Sequence, residues 1–263
     1  CDQQGSQWCF VDDCSSAPPT PTAAFSASAN AVDTTQTITF TNNSTNATSY
    51  SWNFGDSTTS SATSPSHQYA SAGSYTVTLT ATGSSGSDTA TTSITVYTAG
   101  TCSASGTILM ERYDGITGTS IANLTGNANY PENPSSDAQL TSFEIPTDVA
   151  ENYGAKVSGY ICAPETGYYT FWIASDDNGQ LNLSTDDDPA NKTTIAWVDS
   201  WTSSREWDKF TTQKSDPILL VMGESYYVEA LMKEAGGGDN LAVGWAKPGE
   251  SSNAPSQVIP GSV

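Results

Sequence analysis

Two carboxylates stand side by side at Asp176-Asp177, after the run Tyr168-Tyr169-Thr170-Phe171-Trp172-Ile173-Ala174-Ser175 and just ahead of Asn178-Gly179. An alternating aromatic run reads as a strand, and the residues after it read as a turn, which puts the pair at a strand end. Adjacent carboxylates repel, so holding them together calls for compensation. A hard cation supplies it, since Ca²⁺ takes about six to eight oxygens from carboxylates, amides and carbonyls in a flexible shell. A second oxygen-rich loop, Gly236-Gly237-Gly238-Asp239-Asn240, is attached to another aromatic-rich strand. The plainer alternative for each loop is a polar turn, because Asp-Asn-Gly and Gly-rich runs mark turns on their own. Near the first pair, Gln180 offers hydrogen bonds, and Trp197 or Trp201 offers an aromatic face, although a tryptophan in a β-rich chain more often packs in a core or at an edge.

Other chemistries find little to work with. His67 is the only histidine, and it lies beside Gln68-Tyr69 in a segment that reads as structural. With no second histidine and no Gly-x-Ser-x-Gly elbow, acyl transfer has no candidates, and no Cys/His cluster suits zinc. Asp186-Asp187-Asp188-Pro189 reads as a solvent-facing hairpin turn, without the spacing, central glycine or closing glutamate of an EF-hand. Glu111, Glu144, Glu229 and Glu234 contain the makings of a glycosidase carboxylate pair, but small β-sandwich domains lack a long catalytic cleft. The sequence is therefore not expected to be an enzyme.

The formal net charge is -20, with only 8 Lys plus Arg. That excludes nucleic acid, which needs a basic footprint, and anionic membranes. No apolar run reaches the length of roughly 18 residues that a transmembrane helix needs. Five cysteines are present: Cys1, Cys9, Cys14, Cys102 and Cys162. Cys9 and Cys14 can close a small loop, and a Cys102–Cys162 bridge would tie the entrance of the second domain to its sheet. Spacing alone leaves the connectivity open. Disulfides would imply an oxidising, extracellular compartment. Cys1 is then left over, either as the partner of a cysteine upstream of a cut or as a lipidated residue. The first is the favoured reading, with further domains expected upstream. Six Asn-x-Ser/Thr sequons occur, at Asn42, Asn43, Asn46, Asn123, Asn182 and Asn191. They matter only in a host that glycosylates.

The elements that must position these groups read as all-β, in two β-sandwich domains. Residues 1–22 form a cysteine-containing segment ending in the semi-rigid linker Ser15-Ser16-Ala17-Pro18-Pro19-Thr20-Pro21-Thr22. Residues 23–98 are rich in Ser, Thr and β-branched residues with period-two alternation, as in Ser74-Tyr75-Thr76-Val77-Thr78-Leu79-Thr80. This stretch resembles the PKD domain, through Tyr50-Ser51-Trp52-Asn53-Phe54-Gly55-Asp56, His67-Gln68-Tyr69 and Gly73-Ser74-Tyr75-Thr76-Val77-Thr78-Leu79. The resemblance implies an immunoglobulin-like spacer. Trp52 and Phe54 are expected in its core, and Tyr75, Val77 and Leu79 are expected to face inward. Tyr97 to Ser105 reads as a hinge.

Residues 104–263 form the second domain. Strands are expected at Gly106–Tyr113, Leu140–Ile145, Ala155–Ala163, Tyr168–Ala174, Gln180–Ser184, Trp207–Phe210, Tyr226–Lys233 and Leu241–Ala246. The region resembles the PA14 domain, through Gly106 to Tyr113, Val157-Ser158-Gly159-Tyr160-Ile161 and Gly167-Tyr168-Tyr169-Thr170-Phe171 with Asp176-Asp177. Tyr226-Tyr227-Val228-Glu229-Ala230, Gly236 to Trp245 and Val258-Ile259-Pro260-Gly261 match too. Sugar-binding members of that family carry an Asp-Asp pair joined by a cis peptide, holding a Ca²⁺ that coordinates sugar hydroxyls. The resemblance implies metal ligation by Asp176, Asp177, Asp239 or Asn240, and by backbone carbonyls near Gly237 and Leu241. It implies carbohydrate contacts at Asp176, Asp177, Gln180, Trp201, Asp239 and Asn240. The Gly-rich wording of the second loop departs from the flocculins of that branch, leaving open which of its residues ligate and which sugar fits.

The expectation is a calcium-dependent glycan-binding module of a larger secreted or cell-surface protein, working in adhesion or in targeting an attached hydrolase, with a bacterial source suggested by the domain pair. The alternative is a structural or protein-interaction module whose calcium only stiffens the fold.

Overall fold

The computed structural model describes residues 18–102 and 106–262. Cys1, Cys9 and Cys14, with the pairing expected of them, lie outside the described residues. Contacts divide the chain into a first unit running to Val96 and a second beginning at Tyr97, with Ala31–Asp33 grouped with the second.

The first part of the chain carries strands β1 (Phe25–Ala27), β2 (Ala31–Asp33), β3 (Ile38–Asn42), β4 (Ser49–Asn53), β5 (Thr59–Ser60), β6 (Ser66–His67), β7 (Gly73–Gly83) and β8 (Gly86–Tyr97). One sheet has the order β1-β3-β6, and another contains β8-β7-β4-β5. The β7–β8 hairpin closes through Ser84-Ser85 between paired Gly83 and Gly86. Gly86 has φ +125°, a region glycine enters at no steric cost. Trp52, Phe54, Val77 and Leu79 are buried as expected, while Tyr75 is half-buried and stacks on Tyr69. Gly55 turns the chain after Phe54 at φ +86°, where a Cβ would lie 2.8 Å from the Thr76 carbonyl oxygen.

The second unit carries β9 (Ile108–Asp114), α1 (Ile121–Thr125), β10 (Ser136–Leu140), β11 (Tyr153–Cys162), β12 (Gly167–Asp176), β13 (Asn178–Leu183), β14 (Thr193–Val198), β15 (Ile218–Leu220), β16 (Ser225–Glu234), β17 (Asn240–Ala246) and β18 (Gln257–Val258). A six-stranded sheet, β10-β9-β11-β16-β13-β14, faces a four-stranded sheet, β15-β12-β17-β18. Val157, Leu181, Val228, Ala230 and Met232 of the first sheet meet Phe171, Ile173, Val243 and Trp245 of the second in one core. On the outer face of the larger sheet, α1 sets Leu124 against Tyr113, Ile116 and Leu231.

Two expectations about the elements need correction. The strand expected at Leu140–Ile145 ends at Leu140, and its later residues make only single bridges, at Ser142 and Glu144. No strand forms at Trp207–Phe210; these residues belong to a segment that covers the open edge of β12 with side chains and isolated backbone contacts, the Thr202 and Ser215 amides donating to the Ser175 and Phe171 carbonyls, instead of a continuous ladder. The Phe171 amide donates to Ser215 Oγ at 2.9 Å, Gln213 Nε2 donates to the Ile173 carbonyl at 2.9 Å, and the Ser175 amide donates to Thr202 Oγ1 at 2.9 Å. Covering an edge in this way removes the unpaired amides that invite strand addition. Of the residues expected as a hinge, Tyr97 to Cys102 group with the second unit. The Gly100 and Cys102 amides donate to the Met222 and Gly223 carbonyls, and Cys102 is disulfide-bonded to Cys162 with Cα atoms 5.8 Å apart.

Candidate metal centre

The sandwich topology brings two crossings between the sheets to one end. β12 of the smaller sheet passes to β13 of the larger one with only Asp177 between them, and β16 of the larger sheet returns to β17 of the smaller one through residues 235–239. Strand register locks the crossings together, since Asn178 pairs with Lys233 and Asp176 pairs with Asn240. The Asp177 carboxylate accepts the Ala235 amide at 3.2 Å. The Asp176–Asp177 peptide bond is cis. Gly179 follows because the crossing is tight: a Cβ there would lie 2.5 Å from Ser175 Cβ.

The crossings gather carboxylates. Asp176, Asp177 and Glu234 each place an oxygen within 4.8 Å of the other two. The two aspartates are partly open to solvent, whereas Glu234 is fully buried and neither of its carboxylate oxygens has a hydrogen-bond partner. Burial, with Asp177, Asp176 and Asp239 adding to it, pushes the Glu234 carboxyl up to about 7 against the opposing pull of Lys233. Burial and the neighbouring Asp177 and Asp239 push Asp176 up to about 6, with Lys209 opposing. Burial holds the Lys233 ammonium below its ordinary value, and its Nζ donates to the Glu234 backbone carbonyl.

Asp239 is buried and stands outside the three-carboxylate group; its Oδ2 accepts the Val149 and Ala150 amides at 2.8 and 3.0 Å, and its Oδ1 has no partner. Asn240 is buried too, donating from Nδ2 to the Thr202 carbonyl at 2.8 Å and leaving Oδ1 without a partner. Gly237 sits at φ +121° with open space where a Cβ would sit. The Leu241 carbonyl already accepts the Ile145 amide at 3.0 Å, which commits it to a strand contact.

The chemistry of this donor set suits a hard cation. Oxygens without partners in a buried, like-charged cluster are costly unless a cation or proton compensates them, and the donors are the carboxylate and amide oxygens that calcium takes.

Around the cluster, Trp201 is half exposed, with Lys209 Nζ 3.0 Å from its ring centroid and donating to its carbonyl at 2.8 Å. Its neighbour Thr202 bonds both Ser175 and Asn240, so the Trp201 loop is fastened to both crossings. Gln180 lies opposite Trp197 in the register, and its amide donates to Asn182 Oδ1 at 2.9 Å. That contact joins it to a network in which Asn182, Lys192 and Tyr227 bond the buried Glu229 carboxylate. Trp197 donates to Asp199 at 3.0 Å. His67 in the first unit bonds Asp56 at 2.7 Å and stacks on Phe54, a structural role. Asp186 to Asp188 form an exposed turn in which Asp188 caps the Ala190 amide.

The four glutamates named as a possible source of a glycosidase pair are engaged separately. Glu111 pairs with Lys156 at 2.6 Å, Glu144 binds Arg205 through two contacts of 2.8 and 2.6 Å, Glu229 sits in the network above, and Glu234 belongs to the carboxylate cluster. Sequence reasoning left Glu234 out of the metal set. Its signal was the alternation Val228, Ala230, Met232, Glu234, which places a carboxylate at a core-facing position.

Comparison with known proteins agrees with this architecture. The PKD domain family matches residues 16–98, and the PA14 domain family matches residues 122–258. The chain is 31% identical over 145 residues to mouse N-acetyl-beta-glucosaminyl-glycoprotein 4-beta-N-acetylgalactosaminyltransferase 1, covering 53% of this chain and 14% of that protein. It is 36% identical over 86 residues to dog fibrocystin, covering 30% of this chain and 2% of that protein. The match thus spans a small fraction of each relative. Among solved structures, the PA14 sugar-binding domain of an RTX adhesin is similar at a TM-score of 0.44 and 13% identity, covering 59% of this chain and 98% of that one. Because the PA14 match takes in more than half of the 263 residues, and follows a PKD match, the protein belongs to the PA14 domain family and carries a PKD domain ahead of the PA14 domain.

Proposed function

We propose that the PA14 domain binds glycans at a calcium ion held by the Asp176-Asp177 pair, as a module of a larger extracellular or cell-surface protein. The observation that carries this reading is the gradient of burial across the site. Glu234, Asp239 and Asn240 are buried, while Asp176 and Asp177 are partly open to solvent. Oxygens at Asp176 and Asp177, with further donors from Asp239, Asn240 or the Gly237 backbone, would hold the ion from below. Bound there, calcium supplies coordination to vicinal sugar hydroxyls. Trp201 stands half exposed on a loop tied to the same crossings, offering an aromatic face to a sugar ring. The disulfide accords with an oxidising compartment. No helix among the described residues is long and apolar enough to cross a membrane. In the alternative reading the calcium is purely structural and the ligand is a protein; the orphaned oxygens at the buried end suit it equally, and the exposed Trp201 favours the glycan.

Single sugars should bind with millimolar to micromolar affinity, since a shallow wet contact buries little area, with avidity from repeated copies. The test is calorimetry on wild type and Asp177→Asn, titrated with monosaccharides in calcium and in chelator. Removing one negative charge should abolish most calcium affinity and the sugar binding with it. Wild-type sugar binding in full chelation would place the glycan site elsewhere.

A further inference from the structure

We propose that Glu234 is the third carboxylate ligand of the cation, so that the ion is anchored by the core-facing end of β16 and is not held by the two loops alone. This rests on the calcium reading above and adds a ligand to it.

Strand register carries the first part of the argument. Val228, Ala230 and Met232 alternate into the core of the sandwich, and Glu234 is the next position on that face. Its partner across β11 is Tyr153, itself a core residue. A glutamate at such a position is fully withdrawn from water, at 0% exposure. A carboxylate so placed needs donors or a counter-charge, since a buried unpaired charge is among the costliest features a fold can carry. Glu234 has no hydrogen-bond donor on either oxygen. Lys233 does not provide one, because its ammonium donates its hydrogen bond to the Glu234 backbone carbonyl and not to the carboxylate.

The contrast with Asp239 is the second part. Asp239 is buried as well, but one of its oxygens accepts two backbone amides, from Val149 and Ala150. That is how a structural carboxylate is satisfied, here by fastening a neighbouring loop. Asp239 stands outside the group whose oxygens converge within 4.8 Å, and Glu234 stands inside it with Asp176 and Asp177. The two carboxylates thus differ: Asp239 fastens a loop through Oδ2 and keeps only Oδ1 unpartnered, whereas Glu234 has both oxygens unpartnered within the converging group. Three converging carboxylates favour a divalent hard cation over a monovalent one, and affinity in such sites rises with ligand charge.

The experiment compares the full chain with Glu234→Gln, which keeps shape and removes charge. Calorimetric titration with calcium chloride should show at least tenfold weaker binding in the variant. Thermal melting should change sign between conditions. In chelator the variant melts at or above wild type, because a buried unpaired charge has gone; in calcium it melts below wild type, because a ligand has gone. A Glu234 that serves packing alone would lower melting in both conditions and leave calcium affinity unchanged, which overturns the proposal while the calcium reading survives. Wild type that takes up no calcium overturns both. If Glu234→Gln fails to fold, Glu234→Asp carries the same test, since it keeps the charge but withdraws the oxygens by one methylene. At least tenfold weaker calcium binding is expected there too, and unchanged binding overturns the assignment.

Discussion

Calcium should stabilise the PA14 domain strongly at pH 8 and weakly at pH 5. Without metal, the Glu234 and Asp176 carboxyls titrate near about 7 and 6, above their ordinary 4.5 and 3.8. Groups raised in the folded state contribute stability that is fully present below their ordinary range and is lost as pH rises through the raised values. The metal-free domain therefore weakens between about pH 4 and 7, as the Glu234 and Asp176 carboxyls ionise in a crowded acidic cluster. Cation binding needs the ionised forms, so it offsets this loss where it is greatest. With about 5 mM calcium at roughly 100 to 1,000 times its dissociation constant, the stabilisation is about 2.7 to 4.1 kcal/mol. At about 2 to 4 °C per kcal/mol for a domain of this size, melting should rise by roughly 5 to 16 °C. Differential scanning calorimetry at pH 5 and 8, in calcium and in chelator, reads this directly. Identical melting with and without calcium at pH 8 would refute the reasoning that the cluster is a cation site.

Other substitutions separate the parts. Trp201→Ala should lower glycan affinity at least several-fold and leave calcium affinity within about twofold, because the half-exposed ring carries no oxygen donor for the cation; paired calcium and sugar titrations check both. Gly179→Ala forces a methyl to within 2.5 Å of Ser175 Cβ at the crossing; overpacking of this kind costs about 1 to 3 kcal/mol and should show as a lower denaturant midpoint with weakened calcium uptake. Replacing both Cys102 and Cys162 by Ala removes a cross-link spanning 60 residues. That should cost about 4 kcal/mol on the loop-entropy scale, measurable by urea unfolding.

Much of this was legible in the residues. The aromatic run into Asp176-Asp177 announced a strand end with paired carboxylates, and Trp52, Phe54 and the lone His67 announced a packed spacer core. Those signals are local, and period-two alternation carries them. Glu234 was also legible by the same alternation from Val228, but it hid behind a strand that reads as ordinary core. What alternation cannot supply is which strands meet. That Gln180 joins the Glu229 network depends on the pairing of β13 with β16, and the absent strand at Trp207–Phe210 depends on how the segment around it covers the edge of β12, through side chains and isolated backbone contacts. Both are long-range facts, set by tertiary packing.

The central claim, that this domain binds glycan through calcium at Asp176-Asp177, is tested most directly on a broad glycan array probed with the full chain in about 5 mM calcium and again in excess chelator. The account predicts a defined subset of bound glycans in calcium and none in chelator. Binding that persists unchanged in chelator, or no binding in either condition, would contradict it.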